Sequence, residues 1–436
     1  MPKRPINADV PAPEGEKPKE APPEPEGPQR QKSGTPKLLA ALVVLALAFI
    51  AAAIVFGSGD GGEEDSTSAA PAPATAPAED TAAADAPSAP PAAELGYPTF
   101  ATNNTVRIGG SDPVANAAGA ALAVFPSTTP EQQPSAVTVV GEEDWAGAIA
   151  AAVLMAPPVR SPILFSTPDE LPAASEEALA ALDPQGGEAT GGAPLFAVGT
   201  VAYPGEAAPV DSGDPAGTAA QIANLRDRLA GKPPQHIVVA SSSDPDFAMP
   251  AAAWAARSGD PVLYAEGEKL SPQTATYLEQ HPKVPVYVLG PEEVISKEVV
   301  GEIGQISKRV KRVAGEDPVA NAIALARYRD GSFGWNVNDP GHGFVLTRSD
   351  SPANAAAAAP LSASGTWGPL LLTDDAETLP PELRSYFLDV KPGYTDDPTR
   401  AFYNHVWVVG DEDAISVEQQ AEVDALAELA KIGDEE

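Results

Sequence analysis

The sequence repeats itself at intervals of about 100 residues, and this repetition constrains the fold more than any other feature. The octet GSDPVANA at residues 110–117 returns as GEDPVANA at 315–322, with seven of eight residues identical. A third Asp-Pro pair lies between them, so that Asp112, Asp214 and Asp317 are spaced by 102 and 103 residues. A fixed internal period predicts tandem copies of one structural unit.

Each repeat alternates short apolar runs with Ala-rich amphipathic runs. In the first repeat the apolar runs are AVTVV, SPILF and PLFAVG, separated by DWAGAIAAAVLM and SEEALAAL. The same order returns from HIVVA at 236–240 and again from GFVLT at 343–347. Apolar strands that alternate with helices are typical of a parallel sheet covered on both faces. The sequence therefore predicts an α/β fold of three similar lobes with mostly parallel sheets flanked by helices, over 97–206, 207–307 and 308–436.

The repeated octet has a local structural interpretation. An Asp at the N-cap accepts hydrogen bonds from the first backbone N–H groups of a helix, and Pro at the next position has no N–H to leave unpaired. The letters VANA then begin an Ala-rich helix that can approach a sheet closely. A direct ligand role for Asn116 or Asn321 is the alternative. By the same logic, Ser416 and Gln419 predict a capping box at a later helix.

The N-terminal part has three segments of different composition. Residues 1–37, rich in Pro, Glu and Lys, predict a disordered tail. Residues 38–56 are nineteen apolar residues without a charge, Pro or Gly, which as a helix reach about 28 Å, close to the thickness of a bilayer core. Residues 57–96 form a spacer of Ala, Pro, Ser, Thr and acidic residues.

The charges around residues 38–56 predict an orientation. Basic residues precede this segment and acidic residues follow it, so the positive-inside rule places the N-terminus in the cytoplasm. We expect a single-pass protein of the cytoplasmic membrane with its C-terminal lobes outside, in the cell-wall space. A cleaved signal peptide is the alternative.

Composition excludes several classes of function. The net charge of −34 repels phosphate backbones, which argues against nucleic-acid binding. The chain has no cysteine, so it has neither a disulfide framework nor a thiolate metal site. No two histidines in the sequence have the spacing of a metal-binding pair. The sequence also contains neither the GxSxG motif of a nucleophile elbow nor a Gly-rich phosphate-loop motif. We expect no cofactor.

The triplicate resembles the bacterial cell-wall-binding repeat type 2 family. RIGGSDPVANAA and RVAGEDPVANAI are similar to the family's opening, and VTVVGEEDWAGAIAAAVL to the strand, turn and Ala-rich helix that follow. PILF, PVLY and PLLL resemble its Pro-Ile-Leu-Leu strand. VYVLGPEEVIS and VWVVGDEDAIS resemble its closing strand, Gly turn and Ser-capped helix.

The resemblance implies a non-catalytic module of three lobes in a pseudo-threefold arrangement that attaches to an anionic wall polymer or a glycan. It also links the Pro-Ile-Leu-Leu strands to attachment. Their residues here are Ile163, Leu164 and Phe165, Val262, Leu263 and Tyr264, and Leu370, Leu371 and Leu372. The residues alone predict buried strands, which contribute to binding only by holding the lobes together.

The sequence departs from the family pattern at several places. An Asp that the family carries after the aromatic of the middle motif is matched by Gly147, Met249 and Asn354. The second repeat's opening, SGDPAGTAA, has lost its basic residue. The first repeat's closing turn, AVGTVAYPGEA, is degenerate. We expect the fold to survive these changes.

Three further segments are candidate ligand sites. Trp335 lies with Phe333 and His342 in the Gly-rich loop 331–343, where it could stack on a sugar or anchor its own loop. The segment SSSDPD at 241–246 is a calcium or phosphate turn or, alternatively, a capped helix start. The densest basic cluster contains Lys308, Arg309, Lys311 and Arg312.

The basic cluster is a candidate binding site for an anionic ligand or, alternatively, a solvated helix end or a link between repeats. If it does not bind the ligand, bridging divalent cations would have to connect an acidic protein to an anionic polymer. The sequence predicts a non-catalytic, membrane-anchored cell-wall-binding protein. An accessory protein acting on a wall hydrolase or another, unknown protein partner is one alternative, and an α/β enzyme with an unrecognised site is the other.

Overall fold

A computed structural model describes residues 98–210, 213–364 and 367–432 of the 436-residue chain. The predicted tail, membrane-spanning helix and spacer, residues 1–96, lie outside the described residues. Across the described ranges, no helix combines the length and the apolar character needed to cross a bilayer.

The regular elements follow the predicted alternation of strands and helices. The strands are β1 (Pro98–Ala101), β2 (Thr105–Ile108), β3 (Val137–Gly141), β4 (Ile163–Ser166), β5 (Leu195–Val198), β6 (Ala208–Val210), β7 (Ile237–Ser241), β8 (Val262–Ala265), β9 (Val286–Leu289), β10 (Val310–Val313), β11 (Gly343–Arg348), β12 (Leu370–Thr373), β13 (Gly393–Tyr394), β14 (His405–Val409) and β15 (Ala430–Lys431). The α-helices are α1 (Pro113–Val124), α2 (Trp145–Ala151), α3 (Ala173–Leu182), α4 (Pro215–Ala230), α5 (Pro245–Ala248), α6 (Pro250–Ser258), α7 (Pro272–Gln280), α8 (Lys297–Ile306), α9 (Pro318–Arg327), α10 (Pro352–Ala357), α11 (Ala359–Ala363), α12 (Pro381–Asp389) and α13 (Val417–Ala427). Short 3-10 helices cover Pro130–Gln132, Ala152–Met155, Glu188–Thr190 and Pro398–Arg400.

Three sheets form the cores of three lobes. The first lobe has the strand order β4-β3-β5-β6, the second β8-β7-β9-β10, and the third β12-β11-β14-β2-β1. Within these sheets every pairing is parallel except that of β1 with β2. The prediction of an α/β fold with mostly parallel sheets flanked by helices is confirmed. A separate two-stranded pairing joins β13 and β15.

Each lobe takes one strand from the next repeat. The opening strand of the second repeat, β6, pairs with β5 of the first lobe, and β10 of the third repeat pairs with β9 of the second. The opening strand of the first repeat, β2, pairs with β14 of the third lobe. The exchange is therefore cyclic. The predicted boundaries after residues 206 and 307 fall just before strands that belong to the preceding sheet.

The opening helices α1, α4 and α9 each lie between two lobes. Helix α4 contacts β8 of its own lobe and α2 of the first lobe, and α1 and α9 make the corresponding contacts. Each begins at the predicted N-cap, where a carboxylate oxygen of Asp112, Asp214 or Asp317 accepts a backbone N–H at 2.7–2.8 Å. The cap and the Pro that follows it therefore fix where the chain passes from one lobe into the next.

The Ala-rich middle helices of the three lobes meet one another. Helix α6 contacts both the 3-10 turn Ala152–Met155 of the first lobe and α11 of the third lobe, and α2 contacts α10. These helices carry small, buried side chains such as Ala148, Ala251 and Ala355. Small side chains allow the helices to approach closely, and the three lobes therefore share one continuous hydrophobic core.

Candidate functional site

The buried Asn116 of the repeated octet links two lobes. Its side-chain oxygen accepts the N–H of Gly110 at 3.0 Å, and its amide nitrogen donates to the side-chain oxygen of Asn354 in α10 at 3.2 Å. Asn116 is 1% exposed. Its hydrogen-bonding groups are therefore used within the protein, which supports the structural interpretation of the octet over a ligand role.

Asn321 makes the same link between the third repeat and the second lobe. Its side-chain oxygen accepts the N–H of Gly315 at 3.2 Å, and its amide nitrogen donates to the carbonyl of Phe247 at 3.1 Å. A Cβ atom at Gly315 would lie 2.2 Å from the backbone of Ala320. The octet therefore occurs at two lobe junctions with the same three roles: the Asp caps the helix, the Asn bonds to the neighbouring lobe, and the Gly lets the backbone approach the helix start.

Arg107 in β2 fastens the first repeat to the third lobe. It donates through Nη1 to the carbonyls of Gly410 and Asp411 at 2.8 and 2.7 Å, and through Nε to Oε1 of Gln420 at 2.8 Å. The side chain is 1% exposed. Burial lowers the pKa of Arg107. The basic residue of the family's opening motif therefore caps the turn that follows the closing strand, here residues 410–416.

Arg312 in β10 does the same for the second lobe. It donates to the carbonyls of Gly290, Pro291 and Ile295 at 2.6, 2.9 and 2.7 Å. These residues belong to the corresponding turn 290–296. Burial lowers the pKa of Arg312 as well. We call 290–296 and 410–416 the closing turns; each leads into a helix capped by a serine, Ser296 or Ser416. Only the serine half of the predicted capping box forms, because the side chain of Gln419 donates to the carbonyl of Asp375 and the N–H of Ser416 donates to that of Ala376.

The first lobe has neither the arginine in the added strand nor the closing turn that would accept its hydrogen bonds. The backbone register places Pro209 of β6 opposite Ala197, where Arg312 lies opposite Val288 and Arg107 opposite Val408. Pro209 is exposed. The two departures noted in the sequence, the lost basic residue and the degenerate closing turn, are thus the two halves of a single missing contact.

The basic residues at 308–312 have different environments. Arg312 points into the closing turn, and the ammonium of Lys311 forms an ion pair with Asp330 at 2.6 Å. Lys308 and Arg309 remain exposed. The interpretation as a link between repeats describes Arg312 and Lys311, because both hold β10 in place.

The Pro-Ile-Leu-Leu strands lie in the core. Their residues are Ile163, Leu164 and Phe165, Val262, Leu263 and Tyr264, and Leu370, Leu371 and Leu372, and each is at most 1% exposed. The hydroxyl of Tyr264 donates to the carbonyl of Ala146 in the first lobe at 2.7 Å, and burial raises the pKa of Tyr264 well above its ordinary value. As placed, these side chains contact other parts of the protein and not solvent.

At the three positions where the family carries an Asp, this chain has Gly147, Met249 and Asn354, and these residues do not form an acidic site. Gly147 donates its N–H to the N-capping carboxylate of Asp144, and a Cβ atom at Gly147 would lie 2.2 Å from that carboxylate. Met249 is fully buried, and Asn354 is the partner of Asn116. In the described ranges, no group of three or more His, Cys, Asp or Glu side chains could hold a metal ion.

The segment SSSDPD at 241–246 forms a turn closed by its own side chains. The hydroxyl of Ser241 donates to the carboxylate of Asp244 at 2.8 Å and accepts the N–H groups of Ser243 and Asp244. Helix α5 begins directly after Asp244. These contacts support the interpretation as a helix start, although the carboxylate of Asp244 accepts from Ser241 and does not cap the helix.

A crevice of about 200 Å³ lies between the third lobe and the start of α1. It is at the carboxyl ends of β11 and β14, where open α/β sheets commonly bind ligands. Arg348 in its wall is paired with Asp350 at 2.6 Å, and Asp411 and Asp413 line the crevice as well. An acidic lining of this kind repels a polyanion.

The loop 331–343 separates its aromatic residues. Phe333 is 1% exposed and stacks on Tyr287 at 3.6 Å between ring centroids, which anchors the loop. Trp335 is half-buried and lines a cavity of about 380 Å³, whereas His342 lines a different cavity in the third lobe. The loop therefore has both an anchoring aromatic and one that faces a cavity.

The cavity beside Trp335 is rich in tryptophan. We call it the aromatic cavity; it is lined by Gln235, His236, Trp254, Arg257, Ser258, Asp260, Ser332, Gly334, Trp335 and Trp367. The rings of Trp254 and Trp335 meet edge to face at 5.6 Å, and the guanidinium of Arg257 lies 4.8 Å from the ring centroid of Trp367. Of these residues, sequence reasoning identified only Trp335.

The comparisons with known proteins agree with this fold. The family model of cell wall binding domain 2 (CWB2) matches residues 211–300 and 312–420. Two solved structures are similar: Cwp8 from Clostridium difficile at 19% identity with a TM-score of 0.57, and Cwp6 from Clostridium difficile at 17% identity with a TM-score of 0.60. They cover 75% and 76% of this chain.

This chain spans about half of either structure, 52% of Cwp8 and 50% of Cwp6. At these identities the likeness concerns the fold alone. No curated protein matches the sequence. The two stretches matched by the family model contain both closing turns and the serine-capped helix starts described above, and it is over residues 211–300 and 312–420 that the chain is similar to the cell wall binding domain 2 family.

Proposed function

We propose that residues 97–436 form a non-catalytic module that attaches the protein to the cell wall. The observation that carries this proposal is the family match over two repeats that share one core with the first. Because the strand exchange is cyclic, the three lobes would bind as one body and not as three separate modules.

The charge of the module favours a neutral glycan as the ligand over a polyanion. Residues 97–436 carry a net charge of −27, because the chain total of −34 includes +1 from residues 1–37 and −8 from residues 57–96. Of the basic cluster, Lys311 and Arg312 are engaged within the protein. An anionic polymer would therefore need bridging cations or the two exposed side chains Lys308 and Arg309.

Sedimentation of the 97–436 fragment with isolated cell walls tests the attachment. We expect the fragment to pellet with the walls, and an unrelated protein of similar size and charge to stay in solution. Walls stripped of their anionic polymers should retain the fragment if the ligand is a neutral glycan. A fragment that remains in the supernatant with untreated walls would refute the proposal.

Two further treatments separate the ligand classes. Chelation of divalent cations, or the double charge reversal Lys308→Glu with Arg309→Glu, should leave retention unchanged if the glycan is neutral. Loss of retention on chelation would indicate cation bridging to an anionic polymer, and loss on charge reversal would indicate direct contact with the basic side chains.

We further propose that residues 38–56 anchor the module in the cytoplasmic membrane with the N-terminus inside. The apolar segment and the charge difference across it support this orientation. Protease added to intact, wall-stripped cells should remove the residues beyond 57 and spare the tail. A shortened, soluble mature form would show instead that the segment is a cleaved signal.

A further inference from the structure

The aromatic cavity concentrates the tryptophans of the chain. Three of its five tryptophans, Trp254, Trp335 and Trp367, line this one cavity of about 380 Å³. They come from three separate segments: a middle helix, the loop 331–343 and the approach to β12. The volume lies within the range of about 300–1,000 Å³ that is typical of small-ligand sites.

Trp367 presents an indole ring at the rim of the cavity. It is 53% exposed, which is unusual for so large an apolar side chain. Its φ of 56° lies in the left-handed region, which costs a residue with a bulky side chain about 1–3 kcal/mol. An exposed ring held in a costly conformation at a cavity entrance is a feature that packing does not explain.

The opposite wall is fixed by a buried carboxylate. Asp260 is 1% exposed and accepts hydrogen bonds from the indole N–H of Trp254 at 3.1 Å and from the backbone N–H of His236 at 2.9 Å. It also contacts Nδ1 of His236 at 2.9 Å. Because its oxygens are used in this way, Asp260 orients the wall and leaves ligand contacts to the other side chains.

The polar groups at the entrance are mostly uncharged. Gln235 and Ser332 line the cavity and are exposed, and they offer both donors and acceptors. The hydroxyl of Ser332 also contacts Nε2 of His236 at 3.2 Å. Among the described residues, Arg257 is the only Lys or Arg that lines the cavity, and its guanidinium lies against the ring of Trp367. A phosphate or sulfate group would find one arginine and a buried aspartate, which is a poor match for an anion.

We propose that the aromatic cavity is a subsite for one hexopyranose ring of a neutral wall glycan. A pyranose has an apolar face of C–H bonds and a rim of hydroxyl groups. The indole of Trp367 would cover the apolar face, and Gln235, Ser332 and Arg257 would bond the hydroxyls. This inference rests on the proposed wall attachment and names the chemical class of its ligand.

Tryptophan emission of the full-length chain in mild detergent measures binding at this subsite directly. The probes are cellobiose, mannobiose and N,N′-diacetylchitobiose, each titrated separately. We expect at least one of them to change the emission saturably, because three of the five indoles line the cavity. The absence of a saturable change with all three disaccharides would overturn the proposal.

Substitutions at the rim test the location. Trp367→Ala should weaken binding of the responding disaccharide about tenfold, since the ring face is lost, and Arg257→Gln should weaken it less. Phe402→Ala is the matched control, because Phe402 is 70% exposed and does not line the cavity. Equal melting temperatures would show that the exposed substitutions leave the fold intact. Unchanged affinity of Trp367→Ala would place the sugar elsewhere and overturn the assignment.

Wall sedimentation of the same variants separates this proposal from wall attachment. If the unaltered protein pellets with walls but no disaccharide changes its emission, the subsite fails and the attachment stands. If a disaccharide binds and Trp367→Ala abolishes that binding while the unaltered protein does not pellet, the subsite stands and the attachment fails.

Discussion

The third lobe and the first lobe complete their sheets with the same strand pairing but with different side-chain chemistry. In the third lobe, β2 lies parallel to β14, and Arg107 donates three hydrogen bonds to the closing turn and a fourth to Gln420. In the first lobe, β6 lies parallel to β5 in the equivalent register, but Pro209 replaces the arginine. The strand exchange therefore depends on backbone pairing, and the arginine adds stability to it.

The difference between the two lobes also shows which residues of the repeat change together. An arginine without a closing turn would leave a cation without acceptors, and a closing turn without an arginine would leave carbonyls without donors. Either half alone is costly when it is buried. The matched family stretches run through the two intact closing turns, whereas the first lobe lies before residue 211.

The largest expected effect comes from Arg107→Met in the third lobe. The substitution keeps most of the side-chain volume but leaves three carbonyls and the side-chain amide oxygen of Gln420 without their donor. We expect the free energy of unfolding of the 97–436 fragment to fall by about 3–5 kcal/mol. Urea unfolding followed by circular dichroism measures this change. A loss below 1 kcal/mol would show that the contact is not a major support of the third lobe.

A smaller effect is expected from Arg312→Met in the second lobe. Arg312 also serves three carbonyls, but it is only partly buried, so water can replace some of its hydrogen bonds. The expected loss is about 1–2 kcal/mol in the same unfolding experiment. A loss equal to that of Arg107→Met would mean that burial does not decide between the two sites.

The lobe junctions offer a third test of the comparison. Thr218 occupies in α4 the place that Asn116 occupies in α1, four residues after the capping Asp. Asn116→Thr would place at the third-lobe junction the residue type that α4 carries at the first-lobe junction. Asn354 would then lose its hydrogen-bond partner. We expect a loss of about 1 kcal/mol in urea unfolding, with Asn321→Thr as the matched variant. An unchanged midpoint would show that the asparagines contribute no net stability.

The smallest effect is expected when the arginine is restored alone. Pro209→Arg places a basic residue in β6 opposite a first-lobe turn that has no counterpart of the closing helix. Because Pro209 is exposed, we expect a change within about 0.5 kcal/mol. Stabilisation by more than 1 kcal/mol would show that the first-lobe turn can still accept the side chain, and that the two losses are independent.

The sequence predicts most of the secondary structure of each lobe. Runs such as AVTVV and PVLY are apolar throughout, so their interpretation as buried central strands needs no knowledge of neighbours. The N-caps at Asp112, Asp214 and Asp317 are equally local. In contrast, β2, β6 and β10 are short, and two of them contain charged residues. Their membership in the preceding sheet depends on pairing partners that the local sequence does not specify.

The candidate site was predictable only in part, for a similar reason. Trp335 stands out among glycines and polar residues, but Trp254 looks like a core residue of an Ala-rich helix. Trp367 lies 32 positions beyond Trp335 in a different segment. Only the packing of the second lobe against the third brings the three indoles together. The roles of Arg107 and Arg312 could have been inferred from one signal, since the arginine and the closing turn disappear together.

The cyclic strand exchange has a consequence for how the chain acquires its structure. Val106 in β2 pairs with Trp407 in β14, 301 positions later. Closing so long a loop adds little to the equilibrium cost, because each doubling of loop length costs only about 0.6 kcal/mol. It slows folding, however, since rates fall as contacts become more distant in sequence. In a chain that emerges N-terminus first, β2 can pair with β1, but its other edge has no partner until residues 405–409 have appeared. An open strand edge is a template for aggregation. We therefore expect closure of the third sheet to be a late and slow step, during which the short, charge-bearing sequence of β2 limits mispairing.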